Sequence, residues 1–387
     1  MTSRIAYENA DLADGIRSRF VDNHNGLVMH VLEAGFETPG RPCVLLLHGF
    51  PELAYSWRKI MLPLAEAGYY VIAPDQRGYG RTTGWDRDYD GDVDSFRLTN
   101  LVRDIVGLLA ALGIKSVAAV FGHDAGSFVS AWCSLIRPDL FRSVALMSAP
   151  FGGPRPLPFN TANGAAAAQT GDIHADLAAL PRPRKHYQWY YSTRPANDDM
   201  VKCKQGVHDF MRAYYHHKSA DWKANQPYVL GGWRAEELAK MPTYYIMDLH
   251  ENMAQTVAHE MPSAAEIAAN TWLPDAELAV YASEYTRNGY QGGLQWYRTL
   301  TGEKYLRELQ MFSGRTIDVP AIFISGKSDW GTYQVPGSVE RMRDEIMTQQ
   351  RGFYLLDGAG HWVQQEQPEQ VSGILLEFLR GQGIPGK

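Results

Sequence analysis

The stretch Val120-Phe-Gly-His-Asp-Ala-Gly-Ser127 limits what this chain can fold into more than any other. Before it, Ser116-Val-Ala-Ala-Val120 is a run of small and β-branched residues that predicts a buried strand. After it, Ser127-Phe-Val-Ser-Ala-Trp-Cys-Ser-Leu-Ile136 has helical spacing with a stop at Pro138. Asp124 is therefore expected in a strand-to-helix turn. Gly122-x-Asp124-x-Gly126 has the spacing of the nucleophile elbow Gly-x-Ser-x-Gly, in which glycines let a strained turn close and lift the central side chain above a sheet. A carboxylate there is ionised at neutral pH and attacks a saturated carbon without a base to activate it. The product is an ester, which water can cleave at its carbonyl. A serine alkylated in the same way would remain a stable ether. Taken alone, an aspartate in this place is also a common helix N-cap, so the reading needs partners elsewhere in the chain.

Those partners follow in order. Asp329 lies just past the apolar run Val319-Pro-Ala-Ile-Phe-Ile-Ser-Gly326, and His361 lies past Gly352-Phe-Tyr-Leu-Leu356. Nucleophile, acid, histidine is the order in which a strand-elbow site carries its triad, and each residue falls at the carboxyl end of an expected strand, the edge where open α/β sheets bind ligands. Upstream, Cys43-Val-Leu-Leu-Leu-His48 is a continuous apolar strand followed by Gly49-Phe-Pro-Glu52. That turn sets backbone amides at the same edge. The Phe50 amide, with that of Ala125, is the expected oxyanion hole.

Ser18–Asp22 and Gly26–Gly35 predict an antiparallel edge, and Tyr70–Pro74 and Phe141–Ser148 predict further strands, with an amphipathic helix over Leu98–Leu112. Apolar strands alternating with helices predict an α/β sheet, mostly parallel and covered on both faces. The alternation stops near Ala149-Pro150 and returns only after Ile317; between them the chain is helical, aromatic and broken by Pro and Gly. This divides the chain into a core of residues 1–150 and 318–387 and a helical cap of residues 151–317. Within the cap, Thr161–Thr170 is low in complexity and predicts a loop or a marginal helix. Asp86-x-Asp88-x-Asp90-Gly91 resembles the start of a calcium loop, but Arg97 stands where the closing glutamate belongs, so a solvated surface loop is expected and no metal site.

A formal net charge of −6 gives no basic footprint for nucleic acid, and no run of about 18 apolar residues is present to span a membrane. Three widely spaced cysteines, Cys43, Cys133 and Cys203, and an N-terminus without a signal-like apolar core predict a soluble cytoplasmic protein.

On His48-Gly-Phe-Pro-Glu52, Asp75-Gln-Arg-Gly-Tyr-Gly80, Gly122-His-Asp-x-Gly126, Asp329 and Gly360-His-Trp362, the sequence resembles the epoxide hydrolases of the α/β-hydrolase fold from about residue 17 to 380. The resemblance implies that fold, with a helical cap inserted between two sheet strands. It also implies an Asp124 alkyl-enzyme ester, with His361 and Asp329 activating the hydrolytic water, and needs no cofactor. Haloalkane and haloacetate dehalogenases share most of these motifs and are the alternative, and a non-catalytic small-ligand binder is the second. The cap favours an epoxide. His186-Tyr-Gln-Trp-Tyr-Tyr191 and Gly293-Leu-Gln-Trp-Tyr-Arg298 resemble the segments that present two tyrosines to the epoxide oxygen, which places Tyr187 and Tyr297 as acids. Ala125, where dehalogenases carry tryptophan or arginine, offers a halide no side-chain donor. His48, Pro51, Trp189, Trp296 and Trp362 are the expected substrate-binding residues, Met247 and Met253 add to an apolar cap, and the expected partner is a small hydrophobic epoxide. A homo-oligomer is compatible with all of this.

Overall fold

The parallel strands form because their residues can be buried on both faces. Cys43–Leu47, Ala119–His123 and Val144–Met147 are buried at every position. The structure, a computed structural model, describes residues 12–157 and 172–383. Thr161–Thr170 and the first ten residues lie outside the described residues.

In chain order the strands are β1 (Ile16–Asp22), β2 (Val28–Ala34), β3 (Cys43–Leu47), β4 (Tyr70–Pro74), β5 (Ala119–His123), β6 (Val144–Met147), β7 (Arg184–His186), β8 (Ile246–Asp248), β9 (Ile317–Gly326) and β10 (Met347–Leu356). Eight form one sheet in the order β1-β2-β4-β3-β5-β6-β9-β10. β1 and β2 pair antiparallel, as does β2 with β4, and every pairing from β4 through β10 is parallel. Their registers bring the carboxyl ends level: Gly122 lies opposite Leu47 and Leu146, Met147 opposite Ile324, and Leu356 opposite Gly326. The residues after Leu47, His123, Gly326 and Leu356 therefore share one edge. Helices Arg58–Glu66 and Pro368–Gly381 pack together against the sheet, as do Leu98–Ala111 and Ala125–Ile136.

β5 begins three residues later than the local pattern suggests and runs into the elbow. Val117 makes only an isolated bridge to Phe141. Between β6 and β9 the chain leaves the sheet and forms mostly helices, among them Tyr187–Tyr191, Gly206–Lys218, Asp275–Asn288 and Gln291–Thr301. One feature of this segment had no local signal: β7 and β8, three residues each, pair antiparallel across some sixty residues of chain.

Cap side chains grip the core. Trp296 Nε1 donates to the Arg77 carbonyl at 2.9 Å, Tyr285 Oη to the Glu52 carbonyl at 3.2 Å, and Tyr215 Oη to the Pro51 carbonyl at 3.1 Å. The acidic stretch after Trp85 is a chain of turns in which Asp86 accepts from the amides of Asp88 and Asp92, and Asp88 from that of Asp90. These carboxylates cap backbone, and among the described residues no group of three metal-ligating side chains converges.

Candidate active site

Asp124 stands between β5 and helix Ala125–Ile136 with φ 51° and ψ −119°, a conformation rarely adopted outside glycine. Its neighbours make that turn possible. A Cβ on Gly126 would lie 2.2 Å from the Leu47 carbonyl oxygen, and one on Gly122 would lie 2.2 Å from the Gly126 oxygen. The strained turn presses helix and strand together and points the carboxylate at the edge shared by β3, β9 and β10.

Asp124 Oδ1 accepts from the Phe50 amide at 2.9 Å, and Oδ2 faces His361 Nε2 at 3.3 Å. His361 Nδ1 lies 3.1 Å from Asp329 Oδ1. Since a carboxylate only accepts, Nδ1 carries the proton shared with Asp329, and Nε2 is the ring nitrogen turned to Asp124. Asp329 is fixed in turn by the Gly331 amide at 2.7 Å and Ser325 Oγ at 3.0 Å. Burial works against charge on Asp124, but His361, Lys218 and His123 outweigh it and hold the carboxyl well below the usual range. Asp329 is likewise lowered, burial being overcome by His361, the Gly331 amide and Lys218. Asp124 is thus an anion at neutral pH. Ala125 is the first residue of its helix, where the amide has no intrahelical acceptor.

Tyr187 opens helix Tyr187–Tyr191 and Tyr297 lies on Gln291–Thr301; these two cap helices pack together and set the rings 5.9 Å apart. Tyr297 also meets Phe50 edge-on at 5.5 Å. Both hydroxyls are raised well above the usual tyrosine value, first by burial and then in part by the Asp124 charge, so both are protonated at neutral pH. Phe50, whose amide holds Asp124 Oδ1, packs edge-on against Tyr297 and so brings this tyrosine pair to the Asp124 edge.

The other expected binding residues divide differently. His48 has both ring nitrogens engaged by backbone: Nε2 accepts from the Gln76 amide at 3.1 Å and Nδ1 donates to the Gly49 carbonyl at 2.9 Å. Burial lowers its pKa, consistent with a neutral ring. Pro51 follows a cis bond beside the oxyanion amide and is held through its carbonyl by Tyr215. Trp296 is tied to Arg77, and Trp362 meets His361 edge-on at 4.7 Å with Nε1 donating to the Tyr215 carbonyl. His48, Trp296 and Trp362 are therefore in the support of the site, with their polar atoms taken. Trp189 is not brought to it. Its ring neighbours are His174 and His186, and it lines a cap cavity of about 530 Å³ whose walls include neither Asp124 nor Tyr297.

Two residues inside the motifs carry more than sequence reasoning gave them. Glu52 and His123 are fully buried, and His123 Nδ1 lies 2.5 Å from Glu52 Oε2. His123 Nε2 lies 2.7 Å from the His361 carbonyl oxygen. Both partners only accept, so His123 carries two protons and is a buried imidazolium paired with Glu52. Glu52 also receives Gln364 Nε2 at 2.8 Å and Gln365 Nε2 at 3.0 Å. Their signal was adjacency: one follows His48-Gly-Phe-Pro and the other precedes the nucleophile.

A profile of the alpha/beta hydrolase fold family matches residues 42–368. Epoxide hydrolase A of Mycobacterium tuberculosis is 32% identical over 381 residues, covering 94% of this chain and 97% of that protein. Among solved structures, epoxide hydrolase A from Mycobacterium thermoresistibile superposes with a TM-score of 0.72 at 31% identity, covering 95% of this chain and 98% of the other. An epoxide hydrolase from an endophytic Streptomyces gives 0.75 at 28% identity, covering 96% and 97%. Similarity over almost the whole length, joined to an aspartate, histidine and aspartate at one sheet edge beneath a cap, leaves one assignment: the chain belongs to the epoxide hydrolase family, hydrolases of the α/β-hydrolase fold.

Proposed function

We propose that the enzyme converts a small hydrophobic epoxide and water to a vicinal diol through an ester on Asp124. The observation that carries the reading is the array of Asp124, His361 and Asp329 at one sheet edge, with Phe50 joining Asp124 through its amide to the buried cap pair Tyr297 and Tyr187 through its ring. Asp124 Oδ2 attacks an epoxide carbon, the carbon–oxygen bond opens, and Tyr187 and Tyr297 hydrogen-bond and protonate the departing oxygen. Attack removes the Asp124 charge just as an alkoxide develops. One of the forces holding the tyrosine protons in place is thereby lost, and transfer becomes easier.

In the second step His361 Nε2 takes a proton from a water that adds to the Asp124 carbonyl carbon. Oδ1 already accepts from the Phe50 amide, so the oxyanion grows where a donor is in place, with the Ala125 amide as the second. Collapse breaks the bond between the carboxyl carbon and Oδ2; the leaving oxygen takes the proton held by His361, and the proton of the added hydroxyl restores the tyrosine that gave one up, leaving Asp124 a carboxylate. The diol leaves with the original Asp124 oxygen, and an oxygen from water remains in the carboxylate. Asp329 holds the His361 tautomer throughout. The three cysteines are unpaired, which supports a reducing, cytoplasmic setting.

The test is single-turnover mass spectrometry with aryl and alkyl epoxides. His361→Gln is expected to accumulate a substrate-mass adduct on the Asp124 peptide while the wild type releases diol. No adduct with epoxides, but one with haloalkanes or haloacetates, would move the assignment to dehalogenation.

A further inference from the structure

Lys218 closes cap helix Gly206–Lys218 with 3% of its surface exposed. Its ammonium sits among four rings, 5.0 Å from the centroid of Tyr245, 5.4 Å from those of Tyr214 and Trp362, and 5.8 Å from that of Tyr244. Lysines reach for water wherever their stems allow, so one enclosed at the catalytic edge has been placed there by its surroundings. Among the described residues it makes no direct salt bridge. Its charge acts on Asp124 and Asp329, and theirs act on it together with that of Glu52; burial lowers its pKa and these carboxylates oppose the loss.

The main chain ties it to the base. The His361 amide donates to the Lys218 carbonyl at 2.9 Å, and a Cβ on Gly360 would lie 2.6 Å from that same oxygen. Glu366 accepts from the amides of Gly360 and Trp362, on either side of His361, each at 3.0 Å, and from Ala220 at 2.8 Å, two residues past Lys218.

Around His361 the ionic groups are Asp124 and His123 from the elbow, Asp329 after β9, Glu52 after β3, Glu366 behind its own loop, and Lys218 from the cap. Glu366 lies against three backbone amides, but burial outweighs them and pushes it up to about 8, so it adds little charge at neutral pH; the imidazolium of His123 matches Glu52. Asp124, Asp329 and Lys218 remain. In the free enzyme this leaves one carboxylate in excess, which is the nucleophile. Once Asp124 is esterified, its negative charge has passed through the opened epoxide oxygen to the cap tyrosine that protonated it, and beside His361 the charges of Lys218 and Asp329 balance with His361 neutral. Without the lysine, a proton on His361 would be the only nearby charge to answer Asp329, and a protonated His361 cannot accept one from water.

We propose that Lys218 is a positioning residue for the hydrolytic half-reaction: a fixed cation, caged by aromatic rings, that answers Asp329 in the ester intermediate and keeps His361 free to act as a base. This rests on the ester mechanism proposed above. It makes the cap a contributor to the second step, through a cage whose ring Tyr245 packs 5.0 Å from Tyr187, which serves the first.

The experiment is rapid-quench mass spectrometry of ester formation and decay with styrene oxide, from mildly acidic to alkaline pH, on the wild type, Lys218→Met and Lys218→Arg. Lys218→Met should form ester at close to the wild-type rate. Its ester decay should slow about tenfold at mildly acidic pH and recover on the alkaline side, the acid limb having moved up by about one pH unit. Lys218→Arg should restore the wild-type limb. Decay slowed equally at every pH, or an unmoved limb, overturns the proposal. Nitrogen NMR of 15N-lysine in the wild type decides independently of whether the variants fold: Lys218 must be an ammonium at neutral pH, and a neutral amine overturns the proposal. Failure of the wild type to form any ester would instead bring down the ester mechanism itself.

Discussion

Tyr187 donates its hydroxyl proton to Gln334 Oε1 at 3.2 Å and accepts from Gln188 Nε2 at 3.2 Å, whereas Tyr297 has no such tether among the described residues. For Tyr187 to protonate an epoxide oxygen, its proton must leave Gln334; the proton of Tyr297 is uncommitted. Tyr297→Phe is therefore expected to slow ester formation about a hundredfold and Tyr187→Phe about tenfold, measured in single turnover. The reverse ranking would show that the Gln334 contact prepares Tyr187 rather than restrains it. A second consequence at this scale concerns pH. Burial opposes charge on Glu52 and His123, yet each stabilises the other, so Glu52 is lowered and His123 is raised. The contribution of Glu52 is present above the unfolded carboxyl value and is lost as pH falls through its depressed folded one. That of His123 is present below the unfolded histidine value and is lost as pH rises through its raised one. The pair thus stabilises the fold across the window between. Glu52→Gln should cost about 3 kcal/mol at neutral pH and much less in acid, where the wild-type carboxyl is itself protonated. Thermal unfolding against pH checks this, and a loss independent of pH would refute it.

The elements legible from sequence were those whose signal is local. The elbow announces itself because a positive φ at Asp124 needs small neighbours on both sides, and Gly122 and Gly126 supply them within five residues. The parallel strands are continuous apolar runs, and the strand-end positions of Asp124, Asp329 and His361 could be read from them. What local pattern misjudged was decided by partners distant in the chain. β5 starts at Ala119 because its register with Val44 and Val144 selects the paired residues, and composition alone reaches back to Ser116. β7 and β8 are too short to show a period. His48 and Trp362 have the residue types of a binding site, but their polar atoms are claimed by Gln76, Gly49 and Tyr215, which no local spacing reveals. The elbow also carries the clearest prediction at this scale. Gly126→Ala would drive a methyl group to 2.2 Å from the Leu47 oxygen, backbone that cannot yield without shifting β3. We expect a loss of about 3 kcal/mol or more, seen as a lower unfolding midpoint in denaturant, together with loss of ester formation as Asp124 moves off the Phe50 amide.

Across the whole molecule, the proposed catalysis depends on two bodies of chain meeting at one sheet edge. In that proposal the core supplies nucleophile, base and oxyanion donor, and the segment between β6 and β9 supplies both tyrosines and the caged lysine. Its docking is polar as well as apolar: cap hydroxyls and an indole donate to the carbonyls of Pro51, Glu52 and Arg77, in the loops that carry Phe50 and support His48. Arg77 is itself fixed by Asp104, its Nε and Nη2 reaching the two carboxylate oxygens at 2.7 and 2.8 Å, so the carbonyl that Trp296 grips belongs to a rigid core loop. Trp296→Phe keeps an aromatic ring against Tyr79 but removes the donor, leaving the Arg77 oxygen unsatisfied in a buried place at a cost of about 1–3 kcal/mol. Tyr297 is the next residue on the same helix, so a loosened grip should reach the epoxide acid before it reaches the triad. The expected result is slower ester formation with near-normal ester decay. Amide exchange should be faster over residues 291–301, and β3, β5 and β6 should remain as protected as in the wild type. Equal slowing of both half-reactions would mean instead that cap and core open as one cooperative unit.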